Sequence, residues 1–156
     1  MTLSTRIADS ADAGDVARLM IGFRDWWGRD WPDDAAFARG VEQLLADPNC
    51  DFLLGSVDRG PPTGVAVLRY RHSLWQDAPD CNLEDLYVED SARRHGLGAE
   101  LVHASIARAR ERGCRRIELD VNDANGPARR LYERLGFSSY VQDLGGHNRF
   151  MRLYLE

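Results

Sequence analysis

Apolar positions recur along this chain at two periods, and each change of period marks an element. Leu3 to Ala8 reads as a first strand. Val16, Leu19, Met20 and Phe23 then return at helical spacing behind a capping Ser10 or Asp12. Phe37, Val41, Leu44 and Leu45 mark one side of a second helix, capped by Asp33 or Asp34 and stopped by Pro48. Asp51 to Val57 and Gly64 to His72 are strands joined by the turn Asp58-Arg59-Gly60-Pro61-Pro62, and Asn82 to Val88 is a fourth strand. Gly98 to Arg112 is a helix that stops at Gly113. Arg115 to Val121 alternates as a strand, with Ile117, Leu119 and Val121 on one face. Asn125 to Leu135 is a short helix, with Ala128, Leu131, Tyr132 and Leu135 on one face and Gly136 at its end. Two closing strands, Ser138 to Asp143 and Arg149 to Leu155, flank Gly145-Gly146. The order βααβββαβαββ predicts one α/β domain over residues 1–156, with a mixed sheet.

Composition narrows the class. The 156 residues are 44% hydrophobic, enough for a core without disulfides or metal. A net charge of −5 argues against disorder and against a general nucleic-acid binder. No apolar run approaches the roughly 20 residues of a membrane span, and MTLSTRIADSADAGD has no signal-peptide pattern. The expectation is a cytoplasmic protein with neither membrane nor nucleic-acid partner. Cys50, Cys81 and Cys114 are odd in number and form no CxxC pair, so reduced thiols are expected. All 20 basic residues are arginine, which excludes a lysine Schiff base. His72, His95, His103 and His147 have no metal-ligand spacing, and no metal is expected.

The chemistry is written in two stretches. In the first, the strand Leu83-Glu84-Asp85-Leu86-Tyr87-Val88 leads to Arg93-Arg94-His95-Gly96-Leu97-Gly98, which opens a helix. The first amides of a helix lack internal partners and carry a partial positive charge. Glycines at 96 and 98 let a pyrophosphate-like anion approach those amides, although short Gly-x-Gly loops also serve as plain turns. The pattern is neither a dinucleotide fingerprint nor a P-loop, which disfavours hydride and phosphoryl transfer. In the second stretch, Asn125-Gly126-Pro127-Ala128 opens the short helix that carries Tyr132, which by itself could be an ordinary packing residue.

The RxxGxG loop after LYV, a strand, NxxAxxxY and then Gly136-Phe137 together resemble the GNAT superfamily of acetyl-CoA-dependent N-acetyltransferases. The resemblance implies a GNAT fold: a mixed, mostly antiparallel sheet, helices on both faces, and a parallel fourth and fifth strand splayed apart. It implies that Leu86, Tyr87 and Val88 hold the CoA pantetheine and that Arg93, Arg94, His95, Gly96, Leu97, Gly98 and Ala99 hold the pyrophosphate. Asn125, Gly126, Pro127 and Ala128 would line the other side of the pantetheine arm. Tyr132 matches the tyrosine that protonates the departing thiolate, a role suited to a phenol protonated at neutral pH.

An alkyl amine is almost wholly protonated at pH 7, so its attack needs help losing a proton. Glu84 is the candidate, directly or through a water. LEDLYV also looks like the LEDFFV of the diamine acetyltransferases, whose corresponding glutamate contacts the acceptor. Strand alternation sets Glu84 on the side of Leu86 and Val88, with Asp85 and Tyr87 opposite and Asp85 a polar partner there. Trp26, Trp27 and Trp31, near Asp25 and Asp30, suggest an aromatic wall for a cation; Trp26, Trp27 and Asp30 are taken as acceptor-binding. Residues 1–92 hold 8 Arg against 17 acids, and residues 93–156 hold 12 Arg against 8 acids. The acidic part suits a cationic acceptor and the basic part a phosphate-bearing donor. The expected reaction is acetyl transfer to a primary amine of a small molecule. A protein amino terminus as acceptor, an idle acyl-CoA-binding module, and a homodimer stay open.

Overall fold

In the computed structural model, which describes residues 1–155, five strands pair in sequence order. Strand β1 (Leu3–Ile7) leads into helices α1 (Ala13–Trp26) and α2 (Asp34–Leu45). The meander β2 (Cys50–Val57), β3 (Pro62–Ser73) and β4 (Ala78–Val88) follows, then helix α3 (Leu97–Glu111) and strand β5 (Arg116–Glu118). β1 to β4 are antiparallel neighbours, and β4 pairs with β5 in parallel. The chain forms two compact units, residues 1–119 and 120–156.

In the first unit α1 and α2 cover one sheet face, where Val16, Leu19 and Val41 pack with Phe52, Leu54, Val65 and Val67. Helix α3 covers the other face, and its approach depends on a cross-strand glycine pair, Gly55 and Gly64. A Cβ on either would lie 2.9 Å from the Leu97 Cδ1 or the Leu101 Cδ1. Close packing there seats the start of α3 against the strands. Asp51 tethers the far end of the helix by accepting from Arg108 Nε at 2.7 Å and from the Tyr70 hydroxyl at 2.8 Å.

The caps differ in part from the sequence expectation. Asp33 caps α2, accepting from the Ala36 N–H at 2.8 Å. Before α1, Asp9 is the capping side chain of a 3₁₀ turn over Ser10–Asp12, and Asp12 instead accepts from Asp9 N–H and Arg6. β4 begins four residues before the expected Asn82, because the charge of Asp80 hides a buried strand position. Asp80 is paired there with Arg116 Nη2 at 2.5 Å.

In the second unit, α4 (Gly126–Arg134) forms as expected, with Asn125 accepting from the Ala128 N–H. The closing strands Ser138–Asp143 and Arg149–Leu155 do not form among the described residues. Within this unit Tyr140 of the first segment forms an isolated antiparallel bridge with His147, around the Gly145-Gly146 turn and ahead of the second segment. A two-stranded ribbon needs a third strand or a helix on its apolar side to persist, and Phe150, Met151, Leu153, Tyr154 and Leu155 are exposed. β5 is likewise shorter than Arg115–Val121.

Candidate active site

The sequence Leu83–Val88 sits at an irregularity that alternation alone does not reveal. Leu68 pairs with Leu83 and Val67 with Asp85, so Glu84 is the extra residue of a β-bulge in β4. The bulge resets the faces. Leu83, Leu86 and Val88 share a side with their partners Leu68, Ala66 and Gly64, toward α3. Tyr87, opposite Val65, packs beneath α1, where its ring stacks on Phe23 with centroids 5.3 Å apart. Asp85 shares that side with Val67, and Glu84 lines the same cavity as Asp85. The expected placement of Glu84 with Leu86 and Val88, and of Asp85 apart from it, is therefore corrected.

That cavity, of about 280 Å³, opens between α1, α2 and the sheet. Its walls are apolar, with Met20, Phe37, Val41, Leu44, Phe52 and Val67 among them, and Glu84 and Asp85 supply its charge. Glu84 accepts from Arg69 Nη1 at 3.5 Å, and Arg69 Nη2 lies 3.9 Å from Asp47. Trp26, Trp27 and Asp30 are not part of the lining. The two indoles stand edge to face at 4.8 Å at the end of α1, and the Arg93 guanidinium lies 5.2 Å over Trp26. Asp25 is engaged by Arg24, which also binds Asp34 and the Pro32 carbonyl. These side chains brace the connection between α1 and α2.

After Asn82, β4 runs on without pairing to β5, so Leu86, Tyr87 and Val88 lie beyond the parallel ladder. The chain then turns through Arg94 and Gly96, both left-handed with φ of 66° and 86°. Gly96 is the N-cap of α3, and among the described residues no side-chain cap is made at that helix end. Arg93 turns back from the loop, donating from Nε to the Val88 carbonyl at 2.8 Å and pairing with Asp90 at 2.7 Å. The uncapped amides at Leu97 to Ala99, at the positive end of the helix dipole, fit an anionic donor such as a pyrophosphate.

In the second unit, α4 carries Ala128 and Tyr132 one turn apart, and the Tyr132 ring meets Phe137 edge to face at 5.9 Å. The thiols are poorly placed for covalent chemistry. Burial pushes Cys50 up to about 11 and Cys81 up to about 12, and it raises Cys114 as well. Thiols so held are protonated near neutral pH and weak nucleophiles. Among the described residues no group of three His, Cys, Asp or Glu side chains could hold a metal ion.

Comparison with known proteins decides the family. The acetyltransferase (GNAT) family matches residues 17–137, through both units. This chain is a GNAT acetyltransferase. Among curated GNAT relatives, the aminoglycoside N(6')-acetyltransferase type 1 of Stenotrophomonas maltophilia is 30% identical, over 85% of this chain and 84% of its own. The thialysine N-epsilon-acetyltransferase of Bos taurus is 31% identical, over 91% of this chain and 88% of its own. A solved acetyltransferase structure from Arthrobacter sp. FB24 is 34% identical with a TM-score of 0.84. It covers 98% of this chain and 95% of that one. An aminoglycoside N-acetyltransferase in complex with CoA has a TM-score of 0.79 at 20% identity, over 99% of this chain and 95% of that one, which speaks to the fold alone.

Sequence reasoning missed Arg69 and the cavity walls. One signal was available for the cavity: Gly40, in the middle of α2, is an unfavourable residue at a helix interior and lines the cavity.

Proposed function

We propose that this acetyltransferase moves the acetyl group of acetyl-CoA to a primary amine of a small molecule by direct attack, without an acyl-enzyme, in the cytoplasm. The observation that carries the acceptor half is the β4 bulge, which brings Glu84 and Asp85 to one cavity on the strand that continues to the uncapped start of α3. Acetyl-CoA supplies an activated thioester. Leu86 to Val88 would hold its pantetheine arm by backbone hydrogen bonds, as a further strand does. The Arg94–Ala99 turn would hold its pyrophosphate, with Arg93 bracing the turn through the Val88 carbonyl. Glu84 draws the ammonium in and takes its proton, directly or through a water. The family motif carried by Asn125 to Ala128 and Tyr132 would make the Tyr132 phenol the group that protonates the departing sulfur. The protonated cysteines support direct attack over a covalent route. The aminoglycoside and thialysine acetyltransferases among the relatives act on amines, in keeping with this reading.

The test is steady-state thiol release from acetyl-CoA over polyamines, aminoglycosides, amino acids and peptides, in wild type and in Tyr132→Phe. The substitution keeps the ring that packs on Phe137. Turnover falls by on the order of 10- to 1,000-fold with acetyl-CoA affinity little changed. Near wild-type turnover at saturating substrates rejects Tyr132 as the acid; preferred acetylation of peptide amino termini rejects the small-molecule acceptor.

A further inference from the structure

We propose that Trp26 is a positioning residue for the donor turn, so that the end of α1, acting through Arg93, holds the Arg94–Ala99 backbone in the form that takes the pyrophosphate; this rests on the acetyl-CoA-binding reading above. The turn has little of its own to hold it. Arg94, His95 and Gly96 are exposed, and Arg94 has a left-handed backbone that disfavours any residue with a Cβ. Arg93 supplies a fastening. Gly64 pairs with Val88, and Glu89 donates its N–H to the Thr63 carbonyl at 2.9 Å, so the Val88 carbonyl points away from β3. Arg93 Nε donates to that carbonyl at 2.8 Å, and the guanidinium also pairs with Asp90. The same guanidinium lies 5.2 Å from the Trp26 ring centroid and 5.8 Å from that of Tyr87. Both distances are within the range of cation–π attraction.

The end of α1 is itself fixed to β4. Phe23 stacks on Tyr87, and Gly22 leaves room for that ring, since a Cβ there would lie 3.2 Å from the Tyr87 hydroxyl. Trp26 follows Phe23 by three residues on the helix, and Trp27 meets it edge to face at 4.8 Å. A guanidinium engaged by a carbonyl, a carboxylate and two rings supports the turn instead of following the phosphate. A turn released from this fastening spends less time in its binding-competent form. Apparent donor affinity then falls by that fraction, while the complex once formed is unaltered.

The experiment is a double-mutant cycle on acetyl-CoA affinity by calorimetry, with Trp26→Leu and Arg93→Gln, each checked by a thermal melt and by steady-state kinetics. Trp26 is 43% exposed, so a leucine there is compatible with the fold. The glutamine Nε2 reaches the position of the arginine Nε and keeps a donor for the Val88 carbonyl, but it removes the charge over Trp26. Cation–π attraction at such a site corresponds to about two- to fivefold in binding. Trp26→Leu weakens acetyl-CoA binding by that factor in the wild-type background and changes nothing further in Arg93→Gln, a coupling that independent structural damage does not produce. The loss appears in KM for acetyl-CoA, not in kcat or in KM for the amine. Equal weakening in both backgrounds, or none, overturns the inference and leaves the donor turn intact. So does a rise in amine KM alone, which makes Trp26 an acceptor wall. If Trp26→Leu fails to melt cooperatively, Trp26→Met takes its place; failure of both makes Trp26 a folding residue and also overturns the inference. Wild type that binds no acetyl-CoA, or Gly98→Val that binds it as wild type does, overturns the donor reading itself and this inference with it.

Discussion

Glu84 is held in a compromise between a partner and a task. Its carboxylate pairs with Arg69, yet it remains exposed enough to meet an incoming ammonium. The Arg69 guanidinium also leans toward Asp47, so losing the Glu84 charge does not leave it isolated. Exposed pairs of this geometry contribute only about 0–1 kcal/mol to stability. Glu84→Gln is therefore expected to leave the melting temperature nearly unchanged. It should lower kcat/KM for amines by on the order of 10- to 100-fold, with acetyl-CoA affinity little altered. Parallel melts and steady-state kinetics separate the two effects. Equal loss in acetyl-CoA binding would mean that Glu84 shapes the donor site instead.

At the scale of elements, the start of α3 separates two kinds of glycine. Gly96 has a left-handed backbone, where a Cβ costs about 1–2 kcal/mol, so substitution there damages folding together with binding. Gly98 lies inside the first turn of the helix, where a side chain is compatible with the backbone. Gly98→Val is accordingly the cleaner probe of the donor site. It should weaken acetyl-CoA binding more than tenfold, about 1.4 kcal/mol or more, while the far-ultraviolet circular dichroism is retained. Calorimetric affinity equal to wild type would remove the pyrophosphate from this turn. RxxGxG indicated a glycine-bearing loop that opens a helix and leaves its first amides approachable, but nothing in it foretold the left-handed backbone at Arg94 or that Arg93 folds back onto Val88.

For the whole molecule, acid sensitivity has an identifiable contributor that joins β1 to the start of α1. Asp12 accepts two hydrogen bonds from Arg6, at 2.6 and 2.7 Å, and one from the Asp9 N–H at 2.9 Å. These donors lower its carboxyl from 3.8 to about 2, the Arg6 hydrogen bond first among them. Because the folded value lies below the unfolded one, its stabilisation is present above pH 4 and is lost as pH falls toward 2. Unfolding free energy from urea titrations should thus decline between pH 4 and pH 2. Asp12→Asn should flatten that decline and cost about 1–3 kcal/mol at pH 7. A decline as steep in Asp12→Asn as in wild type would place the acid sensitivity elsewhere among the carboxylates.

The sequence by itself determined the helices, the meander and the two motif loops, because period, caps and glycines are local properties of the chain. α2 and α4 appear within a few residues of their predicted limits, and the family follows from motif order and spacing. Tertiary structure decided what depends on partners distant in sequence. The bulge is a mismatch between β3 and β4, invisible to alternation within β4, and it alone moves Glu84 to the side of Asp85. Arg69 meets Glu84 only through strand pairing, and the cavity exists only where α1 and α2 cross the sheet. The aromatic and acidic residues of FRDWWGRDW read as an acceptor wall because they are close in sequence. In the fold Arg24 and Arg93 engage Asp25 and Trp26, while Phe37 and Met20 line the cavity. Alternation likewise predicted closing strands, but a strand is stable only where a neighbour completes its hydrogen bonds, and that is a property of the assembled sheet.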